Sequence, residues 1–310
     1  MKTVVVLGGS GFVGRALCPH LAGSGLTVYS ISRSPVVKRD PRVNYIDCNF
    51  DNVYQLGDLY QKADAIFHLA CDTTPATSSQ QSSLEVTANL LPSLRLLEYL
   101  EHKCSATLIY VSSGGTVYGD TDSTPSTEQA NINPISYYGA SKASLELFLR
   151  AYSKQTQNPV VILRPSNIYG PGQLAKQQFG FVPTLLDAIR NDSLFRLMGD
   201  GESIRDFLFI GDFIRLCQAL LQEGSSDSTP LCRTFNAGSG VGVALSGVIA
   251  LAEDVTGETV RLERVPVRKV DVRAVVIESS KAREAFGWHA ETSMEDGLRQ
   301  TWQWTVDGAP

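Results

Sequence analysis

The stretch Gly8-Gly9-Ser10-Gly11-Phe12-Val13-Gly14 follows a short apolar run over 4–7 and precedes a helix-like segment over 15–22. It fits two glycine patterns, GxxGxxG from Gly8 and GxGxxG from Gly9. Glycine allows a tight turn, lets the backbone approach a pyrophosphate and lets the helix pack against the strand. The helix N-terminus offers N–H groups and a positive dipole to the anion. The stretch therefore predicts a dinucleotide-binding strand, loop and helix, the alternative being a plain glycine-rich turn.

The remaining apolar runs predict the fold class. Four further β-branched runs lie at 27–31, 65–69, 108–111 and 160–163. They lack polar alternation, which is typical of strands buried on both faces of a sheet. Helical patterns such as 90–100 and 141–152 lie between them. Strands alternating with helices imply right-handed crossovers, so we expect an α/β fold with a Rossmann-type, doubly wound parallel sheet.

The pattern changes after about residue 165, where glycine-rich loops begin to interrupt it. We expect a NAD(P)-binding Rossmann domain over 1–165, to which about 207–240 also belongs. The ranges 166–206 and 241–310 then form a smaller, C-terminal substrate-binding lobe. Ligands of open α/β sheets bind beyond the carboxyl ends of the strands, so this lobe is expected to close there.

Composition excludes several classes of protein. The 310 residues include 27 Lys and Arg against 32 Asp and Glu, a net charge of −5 without the basic footprint of a nucleic-acid partner. The first apolar run has only four residues before Gly8, too few for a signal peptide or a membrane span. The six cysteines are scattered without a CxxC pair. We expect free thiols in a reducing cytoplasm, no structural metal and no membrane partner.

The end of the second predicted strand bears on the choice of cofactor. A NAD site usually carries Asp or Glu here, whereas this chain has Ser32 and Arg33. Because arginine can pair with a 2′-phosphate, the sequence favours NADP over NAD. The alternative is a solvent-exposed arginine beside bound NAD. Asp47, which ends the next apolar run, is expected either to accept from the adenine amino group or to cap a loop.

A YxxxK pattern at Tyr138 and Lys142 is the candidate catalytic pair. Positions four apart share one face of a helix. A free tyrosine has a pKa of about 10, and a neighbouring ammonium favours the phenolate. Tyr138 is therefore predicted to act as acid or base on a sugar or alcohol hydroxyl, and Lys142 can also hold the nicotinamide ribose. The alternative is an exposed tyrosine and lysine of no special function.

These motifs resemble the extended short-chain dehydrogenase/reductase superfamily, in its NAD-dependent epimerase/dehydratase branch, and most of all the UDP-glucose 4-epimerase-like nucleotide-sugar enzymes. The resemblance covers nearly the whole chain. It is carried by Gly8–Gly14, His68-Leu69-Ala70, Asn89, Ser112–Gly119, Tyr138 with Lys142, Arg164–Gly172, Gly199-Asp200-Gly201, Arg205-Asp206-Phe207, and Lys281-Ala282 with Gly287-Trp288.

The resemblance implies roles for individual residues. Tyr138 is the acid/base and Lys142 its partner. The expected cofactor contacts are Gly8, Ser10, Gly11, Phe12, Val13, Gly14, Ser32, Arg33, Asp47, Cys48, Leu69, Ala70, Asn89, Ser112, Tyr138, Lys142 and Pro165. The expected substrate contacts are Asn167, Arg205, Arg268 and Val182. Arginines suit a diphosphate because their planar forks donate two hydrogen bonds at once.

The two arginines and the asparagine among the expected substrate contacts each have an alternative interpretation. Arg205 can instead pair with Asp206, Asn167 can serve as a turn former, and Arg268 can lie on the surface. His68 is interpreted as a core histidine.

The chain departs from the family pattern beside the expected reaction centre. The serine or threonine that the family usually carries three residues before Val117 is replaced by Gly114. Ser113 or Thr116 is therefore expected to supply the hydroxyl that contacts the reacting oxygen, the alternative being a water molecule. The Asp-Glu pair of 4,6-dehydratases, which immediately precedes the same valine, is Gly115-Thr116 here, and this argues against dehydratase activity.

Three functions remain open at this stage. The first is a nucleotide-sugar 4-epimerase, which moves a hydride at C4 through a transient 4-keto sugar and regenerates its cofactor. The second is an NADPH-dependent reductase of a 4-keto nucleotide sugar, and the third is a non-catalytic nucleotide sensor. The resemblance to dimeric relatives implies a homodimer. The segment 141–152 carries more apolar residues than one buried stripe needs, which suits a contact with another subunit, although an internal core is the simpler interpretation.

Overall fold

The computed structural model describes residues 2–49, 52, 55–101, 103–120, 124–175, 180–223, 231–267 and 271–308. Contacts along the chain divide it into two compact units. The first unit comprises Met1–Ser113, Ser136–Arg164 and Ile214–Phe235, and the second comprises Gly114–Ile135, Pro165–Phe213 and Asn236–Pro310. The contacts thus group 114–135 with the second unit, whereas the sequence analysis places it in the first domain. The functional division between the two lobes stays a prediction.

The largest sheet has seven strands: β1 (Thr3–Leu7), β2 (Thr27–Ser32), β3 (Val43–Asp47), β4 (Ala65–His68), β5 (Thr107–Val111), β6 (Val160–Pro165) and β10 (Cys232–Ala237). Their order is β10-β6-β5-β4-β1-β2-β3, and the adjacent pairs among β1 to β6 are parallel. The chain adds strands outward on one side of β1 and then on the other. The predicted doubly wound parallel sheet is therefore confirmed, and every residue of β4 and β6 is buried, as strands covered on both faces require.

Helices connect these strands, and their bounds extend the sequence prediction. They are α1 (Phe12–Gly23), α2 (Gly57–Lys62), α3 (Pro75–Gln80), a π-helix (Glu85–Leu90), α4 (Leu91–Glu101), α6 (Tyr137–Thr156) and α8 (Ile210–Gln222). The helix predicted over 141–152 starts four residues earlier. It is capped by Ser136, whose Oγ accepts a hydrogen bond of 3.1 Å from the Gly139 N–H. The N–H groups of the first turn have no acceptor within the helix, and this cap supplies an acceptor for one of them.

The second unit is built around smaller sheets. Its strands are β7 (Asn167–Tyr169), β8 (Leu194–Met198), β9 (Ile204–Phe209), β11 (Gly242–Ala244), β12 (Arg261–Val265) and β13 (Ala274–Val275). Strand β9 pairs with β7, β11 and β13, and β8 pairs with β12. Its helices are α5 (Gly114–Val117), α7 (Phe181–Arg190), α9 (Leu245–Thr256), α10 (Ser280–Phe286) and α11 (Met294–Val306).

A buried ion pair fixes α6 against the sheet of the first unit. Glu146 on α6 is 0% exposed and Arg164 at the end of β6 is 1% exposed. The Arg164 Nη2 and Nε atoms donate to the Glu146 carboxylate at 2.5 and 3.0 Å. Ser112, which follows β5, donates its Oγ hydrogen to the same carboxylate at 2.6 Å. The carboxylate thus joins β5, β6 and α6 through bonds that offset the cost of burying two charges.

Replacement of Glu146 by alanine should destabilise the protein strongly. The Arg164 charge would stay buried without its carboxylate, which costs about 3–5 kcal/mol in free energy of unfolding. The matched control is Glu98→Ala at an exposed position of α4, which should change the free energy by no more than about 0.5 kcal/mol. Urea unfolding measures both, and equal stabilities of the two variants would contradict the assigned role of this pair.

Candidate active site

The glycine loop between β1 and α1 has the geometry that its sequence predicts. Gly8 has a φ of +88°, and a Cβ atom placed on it would lie 2.7 Å from the Ala70 backbone nitrogen. A Cβ atom on Gly14 would lie 2.6 Å from the Gly8 carbonyl oxygen. The Gly8 N–H donates to the Ile31 carbonyl oxygen at 2.9 Å, which fixes the turn against β2. Only glycine fits these positions without displacing backbone atoms.

The start of α1 fits a phosphate group. The N-cap is Gly11, which makes no side-chain capping bond, and the first turn has no acidic residue. Phe12 and Val13 begin the helix, and they are half-buried, as is Ser10. The first N–H groups of a helix have no intrahelical acceptor and carry the positive end of its dipole. The loop and helix can therefore hold the diphosphate of a dinucleotide.

Arg33, the residue behind the NADP expectation, is engaged in an ion pair. Its Nη2 atom lies 2.6 Å from Oδ1 of Asp72, which follows β4. The two side chains are 56% and 35% exposed. Asp72 thus supplies a carboxylate that neutralises the positive charge expected to attract a 2′-phosphate. The preference for NADP over NAD therefore gains no support from the position of Arg33.

The neighbouring predicted cofactor contacts lie together at the ends of β2 and β3. Asp47 accepts hydrogen bonds from Nη2 of Arg39 at 2.9 and 3.1 Å, so its carboxylate is held by an ion pair. Ser32 donates its Oγ hydrogen to the Ser34 carbonyl oxygen at 3.0 Å. The Cys48 N–H donates to the Ser32 carbonyl oxygen at 3.0 Å. Their contacts with a cofactor stay predictions.

Asn89 holds the segment that follows β4. Its Oδ1 atom accepts from the Asp72 N–H at 2.8 Å. Its Nδ2 atom donates to Thr73 Oγ1 at 2.7 Å and to Glu85 Oε2 at 3.0 Å. Both amide hydrogens therefore go to protein atoms, and the structural task of Asn89 is to shape the turn after Leu69 and Ala70. These latter two residues, half-buried, lie where β4 ends beside the glycine loop.

The candidate catalytic pair lies at the start of α6. The Lys142 Nζ atom lies 5.6 Å from the centre of the Tyr138 ring and 5.1 Å from that of Tyr110. It also donates a hydrogen bond of 3.1 Å to the Val111 carbonyl oxygen, and the side chain is buried. Lysine and tyrosine therefore share one helix face, as the spacing of four residues predicts.

The electrostatics of Tyr138 differ from the sequence expectation. Burial raises the pKa of the Tyr138 phenol well above its ordinary value, and the neighbouring Cys71 and Glu85 raise it further. These effects oppose the phenolate that the sequence analysis expects Lys142 to favour, and the acid/base role of Tyr138 stays a prediction. The Lys142 ammonium lies beside the ring and bonds to a backbone carbonyl. A positive group brought by a ligand would favour the phenolate.

The serine-rich stretch after β5 has separate tasks. The Ser112 hydroxyl is committed to Glu146. Ser113 follows it in the first unit, and Thr116 lies on α5 in the second unit. The contact of either hydroxyl with a reacting oxygen stays a prediction.

His68 is a core histidine, as expected. It is 3% exposed, and its Nε2 atom lies 2.9 Å from Ser93 Oγ. Burial, followed by the Lys142 charge, lowers the pKa of His68 to about 3. The imidazole is therefore neutral at physiological pH and takes no part as a cation.

The predicted substrate contacts lie in the second unit. Asn167 begins β7 and is half-buried, and Arg205 on β9 donates from Nη1 to the Ile204 carbonyl oxygen at 2.8 Å. Val182 on α7 is 1% exposed, so its side chain packs in the interior. Pro165, a predicted cofactor contact, ends β6 and is buried. Arg268 lies outside the described residues.

Asp206, next to Arg205, has a structural role. It is 0% exposed and accepts hydrogen bonds from Ser166 Oγ at 3.0 Å, from Ser239 Oγ at 2.7 Å and from the Ile277 N–H at 3.1 Å. Burial nevertheless raises the pKa of this carboxyl group. Successive strand residues point to opposite faces, which places Arg205 on the other side of β9.

Sequence reasoning missed two acidic residues near the candidate site. Asp72 pairs with Arg33 across 39 positions of sequence, a separation at which no local pattern connects them. Glu85 lies four residues before Asn89 in a helical segment, a spacing that predicts a shared face. That spacing was the available signal for Glu85.

Two other kinds of feature, a metal site and a membrane-spanning helix, are absent from the described part of the chain. No group of three His, Cys, Asp or Glu side chains there is placed to hold a metal ion. Likewise, none of the helices in those residues combines the length and apolar character needed to cross a bilayer. The six cysteines are free thiols.

Comparison with curated proteins gives relatives along the whole chain. The UDP-glucose 4-epimerase of Mycolicibacterium smegmatis is 26% identical over 310 residues, which cover 97% of each chain. The dTDP-4-dehydro-6-deoxyglucose reductase of Escherichia coli is 26% identical over 307 residues, which cover 95% of each. The relatives thus include both an epimerase and a 4-keto-sugar reductase.

The fold and the family are established by two further comparisons. The UDP-glucuronic acid 4-epimerase of Bacillus cereus, solved with UDP-glucuronic acid and NAD, superimposes with a TM-score of 0.88 at 26% identity, covering 99% of each chain. The model of the NAD dependent epimerase/dehydratase family matches residues 4–238. The doubly wound sheet, the glycine loop and the Tyr138–Lys142 pair all fall within that match. The chain therefore belongs to the NAD dependent epimerase/dehydratase family of enzymes.

Proposed function

We propose that this enzyme is a UDP-hexose 4-epimerase that uses tightly bound NAD. The observation that carries the proposal is the pairing of Tyr138 with Lys142 on α6, in the same unit as a glycine loop shaped for a dinucleotide. The epimerases among the relatives support the reaction type. NAD, when bound, would supply the hydride acceptor that this reaction needs and the hydride donor for its return to the other face of the ring.

The residues of this chain would act on the proton and on the diphosphate. Tyr138 takes the proton of the C4 hydroxyl in the first half of the reaction and returns it in the second. Lys142 holds positive charge beside that phenol. Asn167 and Arg205 bind the substrate diphosphate, for which the planar guanidinium of arginine is suited. Ser113 or Thr116 supplies the hydroxyl that Gly114 lacks.

Replacement of Tyr138 by phenylalanine should lower the turnover of UDP-galactose to UDP-glucose about 10²–10⁴-fold, because the phenol is the proton carrier. The matched control is Tyr137→Phe, since the adjacent Tyr137 is 61% exposed and should tolerate the change. A coupled assay for UDP-glucose, run without added cofactor, measures both variants. Near-normal turnover of Tyr138→Phe would remove this residue from the mechanism.

A 4-keto nucleotide-sugar reductase is the second candidate, and the reductase relative favours it. The same assay separates the two functions. An epimerase interconverts its sugars without net consumption of NAD, whereas a reductase consumes one reduced cofactor for each sugar reduced. The epimerase is preferred because a solved relative that holds NAD, the UDP-glucuronic acid 4-epimerase of Bacillus cereus, is an epimerase.

The ion pair between Arg33 and Asp72 supports NAD over NADP, because a carboxylate beside the adenosine end would repel a 2′-phosphate. Replacement of Asp72 by asparagine should free the Arg33 guanidinium and raise the affinity for NADP relative to NAD about tenfold. Calorimetric titration of both cofactors into stripped wild-type and variant protein measures this ratio. Wild-type protein that already prefers NADP would refute the proposal of NAD.

A homodimer is proposed from the outer face of the first unit. Leu147 and Phe148 on α6 are 64% and 45% exposed, Val86 on the π-helix is 55% exposed, and Leu91, which begins α4, is 40% exposed. Apolar side chains grouped on neighbouring helices are typical of an interface between subunits.

A reducing, cytoplasmic location is proposed from the free cysteines.

Phe148→Glu should convert the dimer into a monomer, because it places a charge in the apolar contact. The matched control is Gln155→Glu, which adds the same charge at an exposed position of α6. Sedimentation velocity gives the mass of each. A wild-type protein that sediments as a monomer would show that this face has another use.

A further inference from the structure

The ion pair of Arg33 and Asp72 joins two strand ends that are not neighbours in the sheet. Arg33 directly follows β2, and Asp72 lies four residues after β4. Strand β1 lies between these two strands and is parallel to both. The contact of 2.6 Å between Arg33 Nη2 and Asp72 Oδ1 therefore bridges the carboxyl end of β1, where the glycine loop begins.

The contacts of Gly8 place this ion pair beside the glycine loop. The Gly8 N–H donates to the Ile31 carbonyl oxygen at 2.9 Å, and a Cβ atom on Gly8 would lie 2.7 Å from the Ala70 backbone nitrogen. Arg33 and Asp72 each lie two residues further along the chain than one of these two contacts. Ligands of open α/β sheets bind beyond the carboxyl ends of the strands. The ion pair thus lies on the side from which a dinucleotide reaches the loop.

The two partners of the ion pair differ in how firmly they are held. The Asp72 N–H donates to Asn89 Oδ1 at 2.8 Å, which fixes the backbone at Asp72. The Arg33 guanidinium, by contrast, donates to no acceptor other than Asp72 among the described residues, and its side chain is 56% exposed. Rotation about its own side-chain bonds can therefore carry the guanidinium away while the aspartate stays in place.

The other two arginines of the segment between β2 and β3 have carboxylates of their own. Arg39 pairs with Asp47 at 2.9 Å, and Arg42 pairs with Asp40 at 2.7 Å. Neither guanidinium is left to take the place of the first arginine of this segment. The carboxylate of Asp72 therefore has one arginine partner, and the bridge over β1 opens when that single contact breaks.

The bridge is suited to frequent opening. Both side chains are partly exposed, and an exposed ion pair contributes little free energy, so that breaking it is easy. Salt weakens the attraction further, because the screening length falls from about 10 Å at 0.1 M to about 3 Å at 1 M ionic strength. The fraction of time for which the bridge is open should therefore rise with salt.

We propose that the ion pair of Arg33 and Asp72 is a gate at the adenosine end of the cofactor site, closed both before and after the dinucleotide binds. Arg33 moves away to admit or release the dinucleotide and then returns to Asp72. Since the pair is formed at the start and at the end of this passage and broken only during it, the gate slows entry and exit by the same factor. The proposal rests on the proposed binding of NAD and is independent of the sugar.

Stopped-flow binding of NADH to stripped protein tests the gate. The fluorescence of the reduced nicotinamide reports association, and a chase with excess NAD reports release. Asp72→Asn should raise both rate constants about two- to fivefold, with a dissociation constant that changes less than about twofold. Asp72→Glu keeps the carboxylate and should retain slow exchange.

The matched control is Asp40→Asn. It removes the same charge from the ion pair with Arg42, which lies two residues away and bridges no strands. Both rate constants of this control should equal those of the wild-type protein.

Salt gives a second readout that a merely structural role of Asp72 would not move. The release rate of wild-type protein should rise between low salt and about 0.5 M sodium chloride, whereas that of Asp72→Asn should respond much less. An equal response of the two proteins to salt would overturn the gate. So would rate constants of Asp72→Asn that stay the same, fall, or change for association or release alone.

These measurements follow binding alone, which separates the gate from the proposed reaction. If the protein interconverts no UDP-hexose but exchange is faster in Asp72→Asn, the epimerase proposal fails and the gate stands. If the protein is an epimerase and its exchange is unaltered in Asp72→Asn, only the gate fails. A wild-type protein that binds no NADH would overturn both the gate and the proposal of NAD.

Discussion

The buried pair of Glu146 and Arg164 is the contact on which the position of α6 depends. The carboxylate of α6 is held by a guanidinium from β6 and by the hydroxyl of Ser112 after β5. Tyr138 and Lys142 lie on the same helix, one to two turns before that carboxylate. A shift of α6 would separate two buried charges, which is far more costly than a shift between apolar surfaces. The Tyr138 phenol is therefore placed by electrostatics as well as by packing.

Much of the first unit could be predicted because its signals are local. The apolar run before Gly8, the glycine spacing and the following helix lie within 23 residues, and the structure has β1, the loop and α1 there. The pairing of Tyr138 with Lys142 follows from helical periodicity in the same way. Strand and helix bounds were less exact, since the start of α6 depends on a cap by Ser136 rather than on an apolar pattern.

The parts that sequence reasoning did not predict depend on partners distant along the chain. Arg33 by itself suggests a 2′-phosphate site, and only the fold brings Asp72 beside it. Lys142 by itself suggests a phenolate at Tyr138, but burial of the ring and the charge of Glu85 act in the other direction. In both cases the net electrostatic effect of the residue depends on neighbours that only the fold brings close. The spacing of two residues predicts whether they lie close together on one helix, but it does not predict how deeply either side chain is buried.

The buried carboxylate of Asp206 has a consequence for substitutions at the neighbouring position 205. It ties β9 to Ser166, Ser239 and Ile277, three points far apart along the chain. Since that side chain is locked inward, the side of the strand that presents Arg205 is set independently of the arginine itself. Exchange of Arg205 for side chains of other charge or length is therefore expected to leave the strand in place. The part that the arginine itself plays in holding a diphosphate can thus be separated from the stability of the sheet, provided that Asp206 is kept.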